Sequence, residues 1–137
     1  MLMFTRVIIP FVLVVAAGAM IACGGSNTDP TADATKVADQ APSTTFDLVA
    51  KGNKFEQKIL VAKAGADVKI SLSNQDSGTL HNFALYTDKS AKENLYRGEV
   101  FEGKKVVDDT FKAPSAGIYF FRCDVHPDAM TGTFVTK

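Results

Sequence analysis

The stretch from Gly117 to Thr136, "GIYFFRCDVHPDAMTGTFVT", opens with a strand pattern and continues into a loop of unusual composition. In "IYFFRC" every second residue falls on the same side of an extended chain, so Tyr119, Phe121 and Cys123 share one face. An aromatic run of this kind predicts a half-buried β-strand. Cys123 is therefore expected at the inner end of a strand, just before a loop.

The loop that follows gathers side chains able to bind a soft metal ion. His126 stands three positions after Cys123, Pro127 restricts the His126 backbone to an extended conformation, and Met130 closes the loop. The whole chain has only two Cys and two His, and the second histidine, His81, follows a turn and begins another predicted strand. Two imidazoles, a thiolate and a thioether are the donors of type 1 copper sites. Zinc is the chemical rival, since two His and one Cys also bind it, but the thioether favours copper.

Most of the chain after residue 45 alternates with period two. In "VKISLSN", Val68, Ile70 and Leu72 take one face of a predicted strand, and turn-forming segments separate this run from others like it. Short strands with regular turns predict an all-β fold, a Greek-key β-sandwich of two sheets. The exception is the segment from Asp88 to Lys105, where Ser90 followed by Glu93 fits a capping box and predicts a short helical turn near residues 90–96.

The start of the chain has the pattern of an export signal. One basic residue, Arg6, precedes an apolar run from Val7 to Ile21 that is shorter than the about 20 residues a membrane span needs. The run ends in "MIAC" (residues 20–23), which resembles the lipobox of bacterial lipoproteins, where the Cys is lipidated and becomes the mature N-terminus. Ordinary cleavage after "AGA" (residues 17–19) is the alternative, and it would leave Cys23 as a free thiol.

A polar segment separates this signal from the alternating region. "GGSNTDPTADATKVADQAPSTT" (residues 24–45) has no aromatic residue and one branched aliphatic residue, Val37, so it cannot bury enough apolar surface to order itself. We therefore predict a lipoprotein-type signal peptide over residues 1–22, a flexible tether over 23–45 with Cys23 as its lipid anchor, and one folded domain over 46–137.

Composition excludes several classes of protein. The 15 basic residues balance the 15 acidic ones, so nothing indicates a nucleic-acid surface. The chain also has no Gly-rich phosphate-binding loop.

The chain resembles the cupredoxin family of small blue copper proteins. The resemblance covers residues 46–137 and is carried by "KFEQKILVAKAGADVKISLSNQD", by "HNF" (residues 81–83) and by "GIYFFRCDVHPDAMTGTFVT". It implies a β-sandwich of two sheets that holds one copper ion and transfers single electrons.

The resemblance also implies a role for each matching residue. His81, Cys123 and His126 become the equatorial copper ligands, and Met130 becomes the weak axial ligand. Asn82 matches the family's Asn that ties the ligand loops together by hydrogen bonds. Its usual partner is a Ser or Thr after the Cys, where this chain has Asp124.

The histidine count argues against an enzyme. A catalytic copper would need further His ligands, and the single site already uses both histidines. We expect a monomeric electron carrier for redox proteins, exported and held by its lipid on the outer side of the cytoplasmic membrane or on the outer membrane. The alternative is a periplasmic or cell-surface chaperone or reservoir that hands copper on, although a chaperone would be expected to carry exposed Met-rich or His-rich clusters.

Overall fold

The computed structural model describes residues 37–137 of the chain. Within them, residues 37–39 are helical, and almost all the remaining regular structure is β-strand. The strands are β1 (Thr45–Ala50), β2 (Ile59–Ala62), β3 (Asp67–Asn74), β4 (Leu80–His81), β5 (Ala84–Tyr86), β6 (Asn94–Arg97), β7 (Phe101–Glu102), β8 (Lys105–Lys112), β9 (Gly117–Arg122) and β10 (Thr131–Thr136). The predicted all-β class is confirmed.

Two main sheets form the sandwich. One has the strand order β1-β3-β8, and the other has the order β2-β10-β9-β5-β6. The β1–β3 and β2–β10 pairs are parallel, and the other pairs in these two sheets are antiparallel. A third, two-stranded sheet pairs β4 with β7 and holds His81 opposite Phe101.

The core lies between the two main sheets. In β3 the predicted alternation is confirmed, because Val68, Ile70 and Leu72 are buried while Lys69 is exposed. Across the sandwich, the rings of Phe111 on β8 and Phe134 on β10 lie 6.0 Å apart. Aromatic contacts of this kind stabilise the core beyond the area they bury.

The predicted helical turn near residues 90–96 is wrong. The Asp88 carboxylate accepts the Ser90 N–H at 2.7 Å, and the Asp88 carbonyl accepts the Ala91 N–H at 3.1 Å, which makes a turn. Ala91 then adopts φ +50°, in the left-handed region, where a right-handed helix cannot continue. The chain returns as β6, which pairs with β5, so the residues of the expected helix form a hairpin.

The first described residues pack at one end of the sandwich, beside the end of β10. The Lys137 ammonium donates to the carbonyls of Val37 and Ala38 at 2.9 and 3.1 Å, and Ser43 pairs with Ala62. The predicted domain start at Phe46 therefore falls inside β1. The predicted signal peptide, Cys23 and residues 24–36 of the tether lie outside the described residues. None of the described helical structure is long and apolar enough to cross a membrane.

Candidate metal centre

The loop between β9 and β10 holds three of the four predicted ligands. The Cys123 N–H donates to the Met130 carbonyl at 2.9 Å, which closes the loop at its base. Within the loop the His126 carbonyl accepts the N–H groups of Ala129 and Met130 at 3.2 and 3.0 Å. These bonds form a tight turn that brings His126 back toward Cys123.

The fourth predicted ligand, His81, lies on β4, in the two-stranded sheet. Its Nδ1 lies 3.8 Å from Cys123 Sγ, and the His126 Nδ1 lies 3.9 Å from the same sulfur. The ligand atoms of the three residues all lie within 4.8 Å of one another. The two residues that are 42 positions apart in sequence are therefore neighbours in the fold.

The spacing of these atoms fits a single metal ion. Sulfur and nitrogen donors bound at about 2.3 and about 2.05 Å lie about 3.8 Å apart if they subtend about 120° at the ion, and about 3.6 Å apart at a tetrahedral angle. The observed 3.8 and 3.9 Å agree with the wider angle. A trigonal His₂Cys arrangement with a weak axial Met is the arrangement of blue copper sites.

The burial of the four side chains is uneven. His81, Cys123 and Met130 have no exposed surface, whereas His126 is partly exposed. The Met130 side chain is thus part of the interior, while its backbone bonds place it next to both Cys123 and His126. The cluster is shielded from water everywhere except on the His126 side.

The second ring nitrogen of His81 has a charged partner. His81 Nε2 lies 2.9 Å from Asp76 Oδ2. The carboxylate also accepts the N–H groups of Gly52 at 2.7 Å and Asn53 at 3.1 Å. The Gly52 N–H, followed by the His81 ring, lowers the pKa of Asp76 to about 2, so Asp76 is ionised at neutral pH.

Asn82 joins the two loops that carry the predicted ligands. Its fully buried side chain accepts the Asp124 N–H at 2.8 Å and donates to the Gly98 carbonyl at 3.4 Å. Asn82 therefore ties the segment after His81 to the residue after Cys123. The partner is the backbone of Asp124, so the bond needs no Ser or Thr at that position.

The Asp124 side chain points to a different cluster. It accepts hydrogen bonds from the Tyr86 hydroxyl and from Arg122 Nε, and Arg97 Nε forms an ion pair with its Oδ2 at 2.9 Å. Burial raises the pKa of Asp124, but these partners outweigh burial and lower it overall. The Arg122 guanidinium also lies over the Tyr86 ring, 4.7 Å from its centroid. The cluster holds the start of the ligand loop against β5 and β6.

Sequence reasoning missed Asp76 and Tyr86 as neighbours of the site. In the sequence Asp76 stands only at the end of "KFEQKILVAKAGADVKISLSNQD", five residues before His81, and Tyr86 is one residue of the strand predicted to begin at His81. The four predicted ligands, by contrast, lie together in the structure, and their roles as ligands stay a prediction.

The sequence matches a family model over nearly its whole length. The family is described as the cupredoxin-like domain, and the match runs over residues 13–136. The chain belongs to the cupredoxin-like family. No curated protein sequence matches it.

Solved structures share the cupredoxin-like fold. Reduced auracyanin from Roseiflexus castenholzii is 17% identical, with a TM-score of 0.64 over 71% of this chain and 99% of that chain. Auracyanin A from Chloroflexus aurantiacus, described as a "blue" copper protein, is 23% identical, with a TM-score of 0.61 over 71% and 100%. Rusticyanin from Thiobacillus ferrooxidans is 18% identical, with a TM-score of 0.54 over 78% and 91%. At these identities the likeness establishes the fold.

In this cupredoxin-like chain, the cluster of His81, Cys123, His126 and Met130 is suited to one copper ion. The donor set supplies the hard–soft mixture that copper needs in both oxidation states. The sulfur–nitrogen distances would leave room for one ion between the donors of His81, Cys123 and His126.

Proposed function

We propose that this chain carries single electrons between redox proteins outside the cytoplasm, through one type 1 copper ion held by His81, Cys123, His126 and Met130. The observation that carries the proposal is the meeting of three ligand atoms within 4.8 Å, in the interior of a cupredoxin-like domain. Copper, when bound, supplies the change between Cu(II) and Cu(I).

The residues around the cluster favour fast electron exchange by limiting rearrangement. Asn82 ties the two ligand loops to each other, and the Cys123–Met130 backbone bond closes the loop that carries three of the predicted ligands. The full burial of His81, Cys123 and Met130 excludes water from three sides of the cluster. A rigid, dry site keeps the same ligand positions in both oxidation states, so little reorganisation accompanies the transfer of an electron.

Copper titration of residues 37–137 tests the proposal. We expect one Cu(II) per chain, an intense thiolate-to-copper absorption band in the visible spectrum, and a matching spin-resonance signal. Cys123→Ser should abolish the band and leave the fold intact, because Ser fills nearly the same volume but supplies no thiolate. An intense band that persists in Cys123→Ser would show that another residue is the charge-transfer donor.

A copper chaperone or reservoir is the second candidate, and burial of the site argues against it. Three of the four predicted ligands have no exposed surface, so an acceptor protein has direct access only at His126. A carrier should retain its copper through repeated oxidation and reduction in the presence of a Cu(I) chelator. Loss of copper to the chelator on each reduction would favour the chaperone. We expect no substrate turnover, because the single cluster uses both histidines of the chain.

We place the protein on a membrane surface, through lipid on Cys23. The lipobox-like "MIAC" supports this, together with the polar composition of the predicted tether that follows it.

The anchor is tested in cells that make the full chain. The native protein should partition with membranes, and Cys23→Ser should release it or leave it unprocessed, because stable anchoring needs two acyl chains. Mass spectrometry is expected to find a lipid-modified chain that begins at Cys23. A mature chain that begins at Met20 without lipid would contradict the anchor and leave the copper proposal untouched.

A further inference from the structure

The two ring nitrogens of His81 face two different groups. Nδ1 lies 3.8 Å from Cys123 Sγ, on the side of the predicted metal, and Nε2 lies 2.9 Å from Asp76 Oδ2. A nitrogen that binds a metal carries no proton, so the proton of a neutral His81 ring belongs on Nε2. That proton is donated to the carboxylate. Within residues 37–137, an ion pair of this kind is found for His81 and not for His126.

Asp76 is itself held rigidly by a separate loop. The loop of residues 51–54 is closed by mutual backbone bonds between Lys51 and Lys54, and Gly52 and Asn53 both adopt positive φ, +59° and +54°. This conformation directs two successive N–H groups at the Asp76 carboxylate, at 2.7 and 3.1 Å. Asp76 also donates its own N–H to the side chain of Asn74 at 3.0 Å. The carboxylate therefore has one fixed position behind the imidazole.

We propose that Asp76 is a positioning residue that acts through His81 to favour the oxidised form of the copper site. The proposal rests on the copper function proposed above. Asp76 fixes the Nε2–H tautomer and the orientation of the ring, and it keeps a negative charge on the far side of the imidazole from the metal.

The direction of the effect follows from charge. A carboxylate that accepts the N–H of a ligating imidazole makes the other nitrogen a stronger donor. The negative charge also interacts more favourably with a divalent ion than with a monovalent one at the same distance. Both effects stabilise Cu(II) relative to Cu(I), so Asp76 lowers the reduction potential.

Asp76→Asn is the central variant, because Asn has nearly the same shape and retains an oxygen that accepts hydrogen bonds but has no charge. The copper-loaded variant should keep its intense thiolate band. Its Cu(II)/Cu(I) equilibrium should shift about tenfold toward Cu(I). Tenfold is the lower end of the loss in metal affinity that follows removal of a ligand's hydrogen-bond partner, and here the weakened affinity is that for Cu(II). The shift equals a rise of about 59 mV in reduction potential. A potential that is unchanged or lower would overturn the proposal.

Two controls separate the effect of charge from loosening of the loop. Asp108→Asn removes an equal charge from an exposed carboxylate that pairs with Lys69 and touches no predicted ligand. Gly52→Ala strains the loop that holds Asp76, since φ is +59°, but the carboxylate keeps its charge and the new Cβ meets no atom within 4 Å. Asp108→Asn should keep the potential of the native protein, and Gly52→Ala should raise it much less than Asp76→Asn does. A rise in Gly52→Ala as large as that in Asp76→Asn would reduce Asp76 to a structural residue.

The tautomer of His81 can be tested on the copper-free native protein, without copper loading and without a substitution. Nitrogen NMR shifts of the His81 ring report which nitrogen carries the proton, and we expect the Nε2–H tautomer with a slowly exchanging proton. An Nδ1–H tautomer would overturn the role of Asp76 even if the copper site is correct. If the native chain binds no copper but its ring is Nε2–H, the proposed function fails, while the contact between Asp76 and His81 stands.

Discussion

Asn82 is the residue on which the geometry of the predicted site depends most directly. Its side chain is fully buried and spans from the Asp124 N–H at 2.8 Å to the Gly98 carbonyl at 3.4 Å. Asn82→Ala would remove the acceptor of a partly buried N–H, which costs about 1–3 kcal/mol of stability. Because that N–H follows Cys123 directly, we also expect a changed thiolate–copper spectrum and faster copper release. Urea unfolding of the copper-free protein and a chelator competition measure the two effects.

Asn94 provides the matched control for Asn82. Its amide donates to the carbonyls of Leu85 and Tyr96 at 3.1 and 2.9 Å, but the residue is exposed and contacts neither ligand loop. Asn94→Ala should cost less stability, about 1 kcal/mol, and should leave the spectrum unchanged. Equal spectral changes in the two variants would mean that Asn82 supports the fold in general and not the site.

The predicted ligands were accessible from sequence because they are rare and closely spaced. Cys123, His126 and Met130 stand within eight residues, and His81 is the only other histidine. Asp76 was not accessible in this way. Its role depends on a loop 24 residues earlier in the chain that folds against it, and nothing in a local pattern reports such a contact. Polar neighbours of a site are set by long-range packing, whereas strand periodicity is a local property.

At the level of elements, the segment between β5 and β8 shows why a local helix signal failed. The pair Ser90 and Glu93 matches a capping box, in which the Glu93 side chain would accept the Ser90 N–H. In the structure the Asp88 carboxylate accepts that N–H instead, and the chain turns. Pairing of β6 along β5 then adds hydrogen bonds that an isolated helical turn on the surface would lack. Tertiary pairing outweighs local preference here, because a helix of two turns is only marginally stable alone.

Two adjacent aspartates on β8 predict opposite responses to pH. Asp109 is almost fully buried, and its carboxylate accepts a hydrogen bond at 2.8 Å from the hydroxyl of Tyr96 on β6. That bond lowers the pKa of Asp109, but burial raises it by more, so the pKa is raised overall. A carboxyl whose folded pKa is raised holds its proton more tightly in the folded state, so its ionised form costs stability above that pKa. Asp109→Asn should therefore raise the free energy of unfolding at pH 7. The gain should vanish below the unfolded value of 3.8.

Asp108 is the control with the reverse sign. It is exposed, and Lys69 followed by Ser71 lowers its pKa. Its contribution is present above the unfolded pKa and is lost as the pH falls through the folded one, so Asp108→Asn should slightly destabilise the protein at pH 7 and have no effect in strong acid. Denaturant unfolding of the copper-free protein at several pH values gives both curves. Two variants that shift stability in the same direction at pH 7 would contradict this assignment.

At the scale of the whole sandwich, the two ends carry different groups of residues. One end carries the loop from Cys123 to Met130, and the other carries Lys137 with the first described residues beside it. Exposed apolar residues stand next to predicted ligands at the first end. Leu80 precedes His81 and is 47% exposed, and Val125 precedes His126 and is 40% exposed. Ala129, in the same loop as the partly exposed His126, is exposed as well. We infer that these three residues form an apolar rim beside His126.

The apolar rim is the expected exit for the electron, because apolar surfaces allow a partner to approach closely and exclude water. Ala129→Lys should slow electron self-exchange between oxidised and reduced copies by about tenfold or more, since facing like charges cost several kcal/mol and 1.4 kcal/mol is tenfold. Added salt should restore part of the rate.

Ile118→Lys is the matched control, since Ile118 is 74% exposed and lies about 16 Å along β9 from Cys123. NMR line broadening in mixed samples measures both rates while the visible spectrum stays constant. Equal slowing in the two variants would indicate a general charge effect, and slowing by Lys92→Glu alone would move the exit to residues 88–105.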